Sequence, residues 1–264
     1  MKIFVGRQTP EHKGDTSREL IDLWKELSLC EVIEKKVEDY FIWVDEPGEI
    51  LLYEYDRWDV FPGLPSTWKK GLFGGQQHPN GNSWIYWGRR PKMLHQKVIN
   101  GIKSYNEREI ETIFLGKVEN GVQYKNRTSK DWSEVIDFFS MPIRMGDSFT
   151  WPYSQSEYLE FVSNSKFGLC LPGYGPKCNR EIEYFALGVV PLITEGVCTN
   201  YSDPIIENKH FLRIKNPEDI KIMLNNFPKE RWEYMSYNCR QWYERNCSPI
   251  GSFQTTKRII ESIK

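Results

Sequence analysis

Residues 165–191 read SKFGLCLPGYGPKCNREIEYFALGVVP, and the reading of this stretch decides the fold. A short apolar run from Phe167 to Leu171 breaks at Pro172 and passes a Gly173-Tyr174-Gly175 turn. Arg180 and Glu183 then open an apolar helical segment that stops at Gly188, and a second apolar run covers 189–193. Strand, glycine turn, helix and strand make one βαβ unit, whose ligand site lies beyond the carboxyl end of the first strand. An anion can sit on the unpaired amides of the helix N-terminus, where glycines permit close backbone approach. Arg180 adds a fixed positive charge there. Glu183, one turn further in, can accept hydrogen bonds from two neighbouring hydroxyls, as a ribose presents. The pattern describes a pocket for a nucleoside diphosphate. On spacing alone, an arginine and a glutamate three residues apart on a helix are equally what a solvated surface pair looks like.

The order Ser165-Lys166-Phe167, Cys170-Leu171-Pro172-Gly173, Arg180, Glu183, Ala186-Leu187-Gly188 and Pro191 resembles the nucleotide-sugar half of exostosin-like glycosyltransferases. The resemblance covers roughly residues 110–215, fades towards the C-terminus and is faint before residue 100. It implies an α/β fold of the GT-B type, two Rossmann-like domains facing a cleft, with Arg180 and Glu183 in the donor site. It also implies inversion at the anomeric carbon. Gly116 and Lys117 end an apolar run, and Arg127 follows. This too resembles the family, in which a glycine-ended strand and a nearby arginine approach the donor phosphates; a surface ion pair is the competing role for Arg127. Tyr153 and the turn residues Pro172, Gly173, Tyr174 and Gly175 complete the candidate substrate-binding set.

Outward from this unit the chain alternates in type. Residues 1–6 (MKIFVG) read as a strand, 16–29 as a helix with Leu20, Leu23, Trp24 and Leu27 on one face, and 39–44 and 50–55 as further strands. A stretch rich in Gly, Pro and aromatic residues follows. A second unit starts near residue 110 with a strand ending at Gly116, then helices over 129–139 and 153–164. After the glycine-turn unit come a strand at 210–214, a helix opened by Asn216-Pro217-Glu218-Asp219, and helices over 229–246 and 252–263 with Pro249 and Gly251 between them. The expected domains are 1–108 on the acceptor side and 109–264 on the nucleotide-sugar side, each built on a parallel sheet.

The 264 residues suffice for two modest domains. A formal net charge of -1 gives no general polyanion-binding surface, so nucleic acid is not the expected partner. The six cysteines form no C-x-x-C pair and read as reduced packing residues. No segment approaches the roughly twenty apolar residues of a membrane span. Met1 leads directly into a strand, which favours a cytoplasmic protein, a departure from the Golgi-anchored cellular exostosins.

Two positively charged arginines beside a leaving diphosphate can stabilise the charge that builds as the glycosidic bond breaks. Such an arrangement can replace a metal, and the sequence shows no isolated Asp-x-Asp pair of the manganese-holding type. No cofactor is expected beyond a nucleotide-sugar co-substrate, UDP-linked by preference. An inverting transfer also needs a base for the acceptor hydroxyl. His12 and Asp15 lie on the loop after the first strand, and Thr16 and Glu19 have capping-box spacing, which leaves Asp15 for a cleft. The competing role for Asp15 is a charge favoured at the helix end. Asp56, Asp59 and His78 are reserve candidates, and Trp58, Phe61, Trp68 and Phe73 could form an acceptor platform. These residues describe a glycosyltransferase acting on a glycan or glycoprotein hydroxyl, with a non-catalytic nucleotide-sugar or glycan-binding module as the alternative.

Overall fold

The computed structural model describes residues 1–6, 16–35, 42–44, 50–53, 70–73, 82–85, 87–119, 121–143, 151–173 and 175–263. The first sheet is built from β1 (Lys2–Gly6), β2 (Glu31–Lys35), β3 (Ile42–Val44), β4 (Ile50–Tyr53), β5 (Lys70–Phe73) and β6 (Asn82–Ser83), in the order β2-β1-β3-β4-β5-β6. Helix α1 (Thr16–Glu26) connects β1 to its parallel neighbour β2. β3 runs antiparallel to both β1 and β4. The sheet is therefore mixed, where the alternation of elements predicted parallel pairing throughout. The reason is connection length: six residues separate β2 from β3 and five separate β3 from β4. A parallel crossover needs about a dozen or more.

Leu20, Ile21 and Trp24 of α1 are buried against Ile3, Val5, Val44 and Ile50 of this sheet. Leu27, expected on the same face, is exposed because the helix ends at Glu26. Glu19, whose spacing suggested a cap for α1, is engaged at the start of the next helix. Its carboxylate accepts from the Lys92 amide at 3.1 Å and faces the Arg90 guanidinium at 3.5 Å. It thus caps α2 (Pro91–Ile99), which has no side-chain cap of its own at Arg90.

The second sheet is parallel, in the order β11-β10-β9-β7-β8. Its strands are β7 (Ile110–Leu115), β8 (Phe138–Ser140), β9 (Ser165–Cys170), β10 (Val190–Thr194) and β11 (Leu212–Ile214). The helices between and after them are α3 (Gly121–Thr128), α4 (Gln155–Ser163), α5 (Asn179–Leu187), α6 (Pro217–Leu224), α7 (Lys229–Asn246) and α8 (Pro249–Ser262). The helix expected over 129–139 is absent. In its place stand a 3-10 turn at Ser133–Val135 and β8, whose Phe138 and Phe139 pair with Ile113 and Phe114. Asp131 accepts from both the amide and the hydroxyl of Ser133, a local bonding pattern that competes with helix.

Pro249 and Gly251 were expected between two helices and instead form the first turn of α8, where proline loses no hydrogen bond. The Ser248 hydroxyl accepts from the Gly251 amide at 3.1 Å. α8 crosses back to the first sheet: Trp24 donates to the Ser252 hydroxyl at 2.8 Å, Trp84 donates to the Thr256 hydroxyl at 2.7 Å, and Ile260 joins that core. A Cβ at Gly251 would lie 2.0 Å from the Glu244 carbonyl oxygen, so α8 docks on the end of α7 only through a glycine. Gly251→Ala is expected to destabilise the protein by about 3 kcal/mol, the upper range for overpacking. The check is the midpoint of urea unfolding. Among the described residues no helix is long and apolar enough to cross a membrane.

Candidate functional site

The sheet order creates a switch point between β7 and β9. From β7 the chain proceeds outward to β8 on one side, then returns past it to β9 on the other. In open α/β sheets the crevice beyond the carboxyl ends of such strands is where ligands bind. Gly116 follows β7 and Gly173 follows β9, so both glycines of the sequence pattern stand at this crevice. Pro172 and Gly175 lie beside them, with the Gly173 amide donating to the Gly175 carbonyl at 3.0 Å.

Arg180 is the second residue of α5 and only 7% exposed. Its Nη2 donates to the Leu115 carbonyl at 3.2 Å, and its guanidinium carbon lies 4.5 Å from the centre of the Phe114 ring. Nε and Nη1 are buried and have no hydrogen-bond partner. A Cβ at Gly116 would come within 2.5 Å of Arg180 Nη2, so the guanidinium can lie here only because that position is glycine. Burial works against the charge, yet Tyr184, Tyr158, Cys178 and Glu181 raise the Arg180 pKa above the ordinary arginine value. The side chain remains a cation.

Arg127 sits in the last turn of α3, a helix that the sequence pattern did not place. Its Nε donates to the Pro172 carbonyl at 3.2 Å, its Nη1 to the Lys117 carbonyl, and its Nη2 faces the Cys178 sulfur at 4.0 Å. It clamps the end of β7, the end of β9 and the start of α5 together. Burial and the neighbouring Arg180 charge lower its pKa to about 10, a sign that the two cations crowd one another. An anion between them would relieve that crowding. The Lys117 side chain pairs with Glu119.

At the N-terminus of α5 the residue before the first turn is Cys178, and Glu181 Oε2 accepts from its amide at 2.6 Å. Glu181 is 1% exposed, and its Oε1 has no hydrogen-bond partner. Burial raises its pKa to about 7, against the pull of Arg180 and Arg127.

Glu183 is 2% exposed, and both carboxylate oxygens are occupied. Oε1 accepts from the Arg89 amide at 2.9 Å and Oε2 from the Tyr158 hydroxyl at 2.7 Å. A Cβ at Gly88 would approach its Cγ to 3.1 Å, so the segment joining the two sheets lies directly over this side chain. Asn179 fastens the same segment by donating to the Trp87 carbonyl at 2.8 Å. Removing the carboxylate would leave the buried Tyr158 hydroxyl and the partly buried Arg89 amide unmatched. Glu183→Ala is therefore expected to lower stability by about 2–4 kcal/mol, and Glu183→Gln by less, because the amide oxygen still accepts one bond. Urea unfolding of the two variants tests this.

Tyr153 is not brought to the arginines by any described contact. Its ring packs in an aromatic cluster with Trp151 at 5.7 Å and Phe161 at 5.2 Å. A cleft of about 510 Å³ opens on the β10 and β11 side of the glycine turn, lined by Lys125, Lys130, Trp132, Pro172, Gly175, Thr194 and Lys215 among others. Arg180 and Glu183 do not line it. His12, Asp15, Asp56, Asp59, His78 and Tyr174 lie outside the described residues, as do Trp58, Phe61 and Trp68.

Two of the solved structures that match the chain over nearly its whole length do so at a TM-score above 0.5. A DNA-modifying β-glucosyltransferase, described in the presence and absence of its substrate uridine diphosphoglucose, is 12% identical, with 98% of this chain and 99% of that chain covered at a TM-score of 0.55. T4 phage BGT in complex with UDP and Mn2+ is 14% identical, with the same coverage and a TM-score of 0.53. The fold is of the GT-B type. No protein-family model and no curated protein matches the sequence. The membership in the exostosin-like family that the motif suggested thus reduces to this broader architecture.

Sequence reasoning missed two residues of the site. Phe114 lies under Arg180 at 4.5 Å and near Arg127 at 5.8 Å, and so orients both guanidinium groups. Its signal was available: an aromatic two residues before the glycine that ends a strand. Glu181 sits between Arg180 and Glu183 in sequence and gave no signal, because a glutamate at the third helical position is the ordinary companion of an N-cap.

Proposed function

We propose that the protein is a glycosyltransferase that moves a sugar from a nucleotide-sugar donor to a hydroxyl acceptor. The observation that carries this reading is Arg180, a buried cation with two unpaired nitrogens at the β7/β9 switch point of a GT-B fold. A buried charge with unmatched donors is costly unless a ligand completes it. A diphosphate on the α5 N-terminus would do so, using the helix amides as well. As the bond from the anomeric carbon to the diphosphate oxygen breaks, charge would gather on the leaving group beside the Arg180 and Arg127 cations. The acceptor oxygen bonds to the anomeric carbon from the opposite face and gives its proton to a base, which we assign to Asp15, with His12, Asp56 and Asp59 in reserve. Glu183 would take the ribose hydroxyls only on the lone pairs that the Arg89 amide and the Tyr158 hydroxyl leave on its two oxygens. The sugar inverts, and the diphosphate leaves as the nucleotide.

UDP is the preferred nucleotide, in keeping with the uridine ligands of the two structural neighbours. One neighbour modifies DNA, but the net charge of -1 here favours a glycan or glycoprotein hydroxyl. The arginines supply the leaving-group charge without a metal, although the T4 phage protein was solved with Mn2+.

The test is UDP release from a set of UDP-sugars, with and without glycan, glycoprotein and DNA acceptors, in excess EDTA. Acceptor-dependent release in EDTA is the expected result. Donor binding without any turnover would make the chain a nucleotide-sugar-binding module. Turnover lost in EDTA and restored by manganese would assign the leaving-group charge to a metal, and turnover on DNA alone would overturn the acceptor class.

A further inference from the structure

Among the described residues Glu181 is a carboxyl on which both arginines act, and the role assigned to Arg180 and Arg127 leaves it unexplained. Its Oε2 is held by the Cys178 amide, which fixes the side chain against the first turn of α5. Its Oε1 is buried and unpartnered, and no ion pair joins it to either guanidinium. The groups that face it come from every element around the turn. They are Arg180 and Tyr184 on α5, Arg127 on α3, Cys170 at the end of β9, Cys178 before the helix, and Tyr201 after β10. Lys177 lies over the Tyr201 ring at 4.4 Å and adds a further cation at the margin. Among the described residues the charged groups around it are the two arginines, this lysine and, across Tyr184, the Glu183 carboxylate.

We propose that Glu181 sets the charge of the donor pocket. As the neutral acid it leaves both arginine charges for a diphosphate, and as the carboxylate it offsets them, so the protein takes up a proton when it binds a nucleoside diphosphate. This rests on the reading of the arginines as the donor site. The linkage follows from the geometry. Arg180 and Arg127 now favour ionised Glu181, against burial. A diphosphate seated on the same guanidiniums would cancel that pull and bring its own negative charge next to the carboxyl. Both changes favour the protonated form. Since the Glu181 pKa stands at about 7 without ligand, the proton is taken up in the neutral range. Glu181 is then a positioning residue, acting on the donor through the arginines.

The same displacement has a stability consequence with a definite sign. The folded carboxyl holds its proton up to about pH 7, whereas an ordinary glutamate releases it near 4.5. Between those values the folded state binds more protons than the unfolded one, so this group's contribution falls as pH rises through the window and is flat above it.

The experiment is titration calorimetry with UDP-glucose, whose diphosphate carries no proton that titrates near neutrality, on the parent protein and on Glu181→Gln. Glutamine keeps an acceptor for the Cys178 amide and removes the charge. For the parent, affinity should fall by up to about tenfold per pH unit above pH 7, the slope of one linked proton. Binding heats near pH 8 measured in two buffers of different ionisation enthalpy should report uptake of most of one proton. The variant should show a flat profile and no uptake. Tight binding by the parent with no uptake and no pH dependence overturns the proposal and leaves the donor site standing, as does a variant that keeps the parent's slope. If Glu181→Gln does not fold, the parent's two-buffer measurement decides alone. No binding of UDP-glucose or UDP at any pH overturns both this proposal and the donor-site reading beneath it.

Discussion

Arg180→Ala is expected to reduce turnover about a thousandfold, the upper range for removing one preorganised donor to a developing oxyanion. The effect is large because the side chain is already desolvated, and two of its buried nitrogens have no partner, so a diphosphate that reaches them completes bonds the fold leaves open. Arg180→Lys should recover little of this loss. An ammonium keeps the charge, but it cannot lie flat over Phe114, donate to Leu115 and present further donors at once. Arg127 gives the contrast. Its donors are committed to Pro172 and Lys117, so Arg127→Ala should weaken the fold around the glycine turn as much as it weakens catalysis. Single-turnover rates with saturating donor, read beside urea unfolding, separate the two cases. An Arg180→Ala protein with parental turnover would end the assignment of the leaving-group site.

The parts of the molecule that were legible in sequence are those where local chemistry and tertiary packing agree. Pro172, the two glycines and Gly188 mark out β9, α5 and β10 because each performs a backbone task that few other residues can. Gly188, for instance, closes α5 with φ 66°. Arg180 and Gly116 were singled out by type, but their relation was not, since the fit of a guanidinium over a missing Cβ depends on the end of β7 and the start of α5 meeting in space. α3 was not read and a helix was read after it, because Gly121 starts α3 and because Trp132 and Ile136, which look helical in spacing, are buried from a turn. The return of α8 to the first sheet rests on indole-to-hydroxyl bonds across 228 and 172 residues of chain, a separation at which no local pattern reports. Glu183 shows the opposite case. Its position was read from spacing, and the structure adds that its carboxylate also carries the junction between the sheets through Arg89 and Tyr158.

Asp15→Asn is expected to lower turnover about a hundredfold or more while donor affinity changes little, since an amide keeps the shape of the side chain but cannot take a proton. The competing role for this residue has become sharper. The capping-box spacing of Thr16 and Glu19 suggested that α1 could be closed without Asp15, but the Glu19 carboxylate is engaged at the start of α2, with the Lys92 amide at 3.1 Å. Asp15 directly precedes α1 in the sequence, so capping that helix competes with the chemistry as its role. Asparagine distinguishes the two because it caps a helix almost as well as aspartate. A residue that only caps would yield a variant of near-parental stability and near-parental turnover. A residue that is the base would yield the same stability with turnover lost, and the loss should grow less severe when the acceptor hydroxyl is made more acidic, since less proton transfer is then required. If Asp15→Asn stays active, the same pair of measurements, turnover with acceptor and affinity for donor, passes to Asp56, Asp59 and His12. A base among them must lower the first without the second.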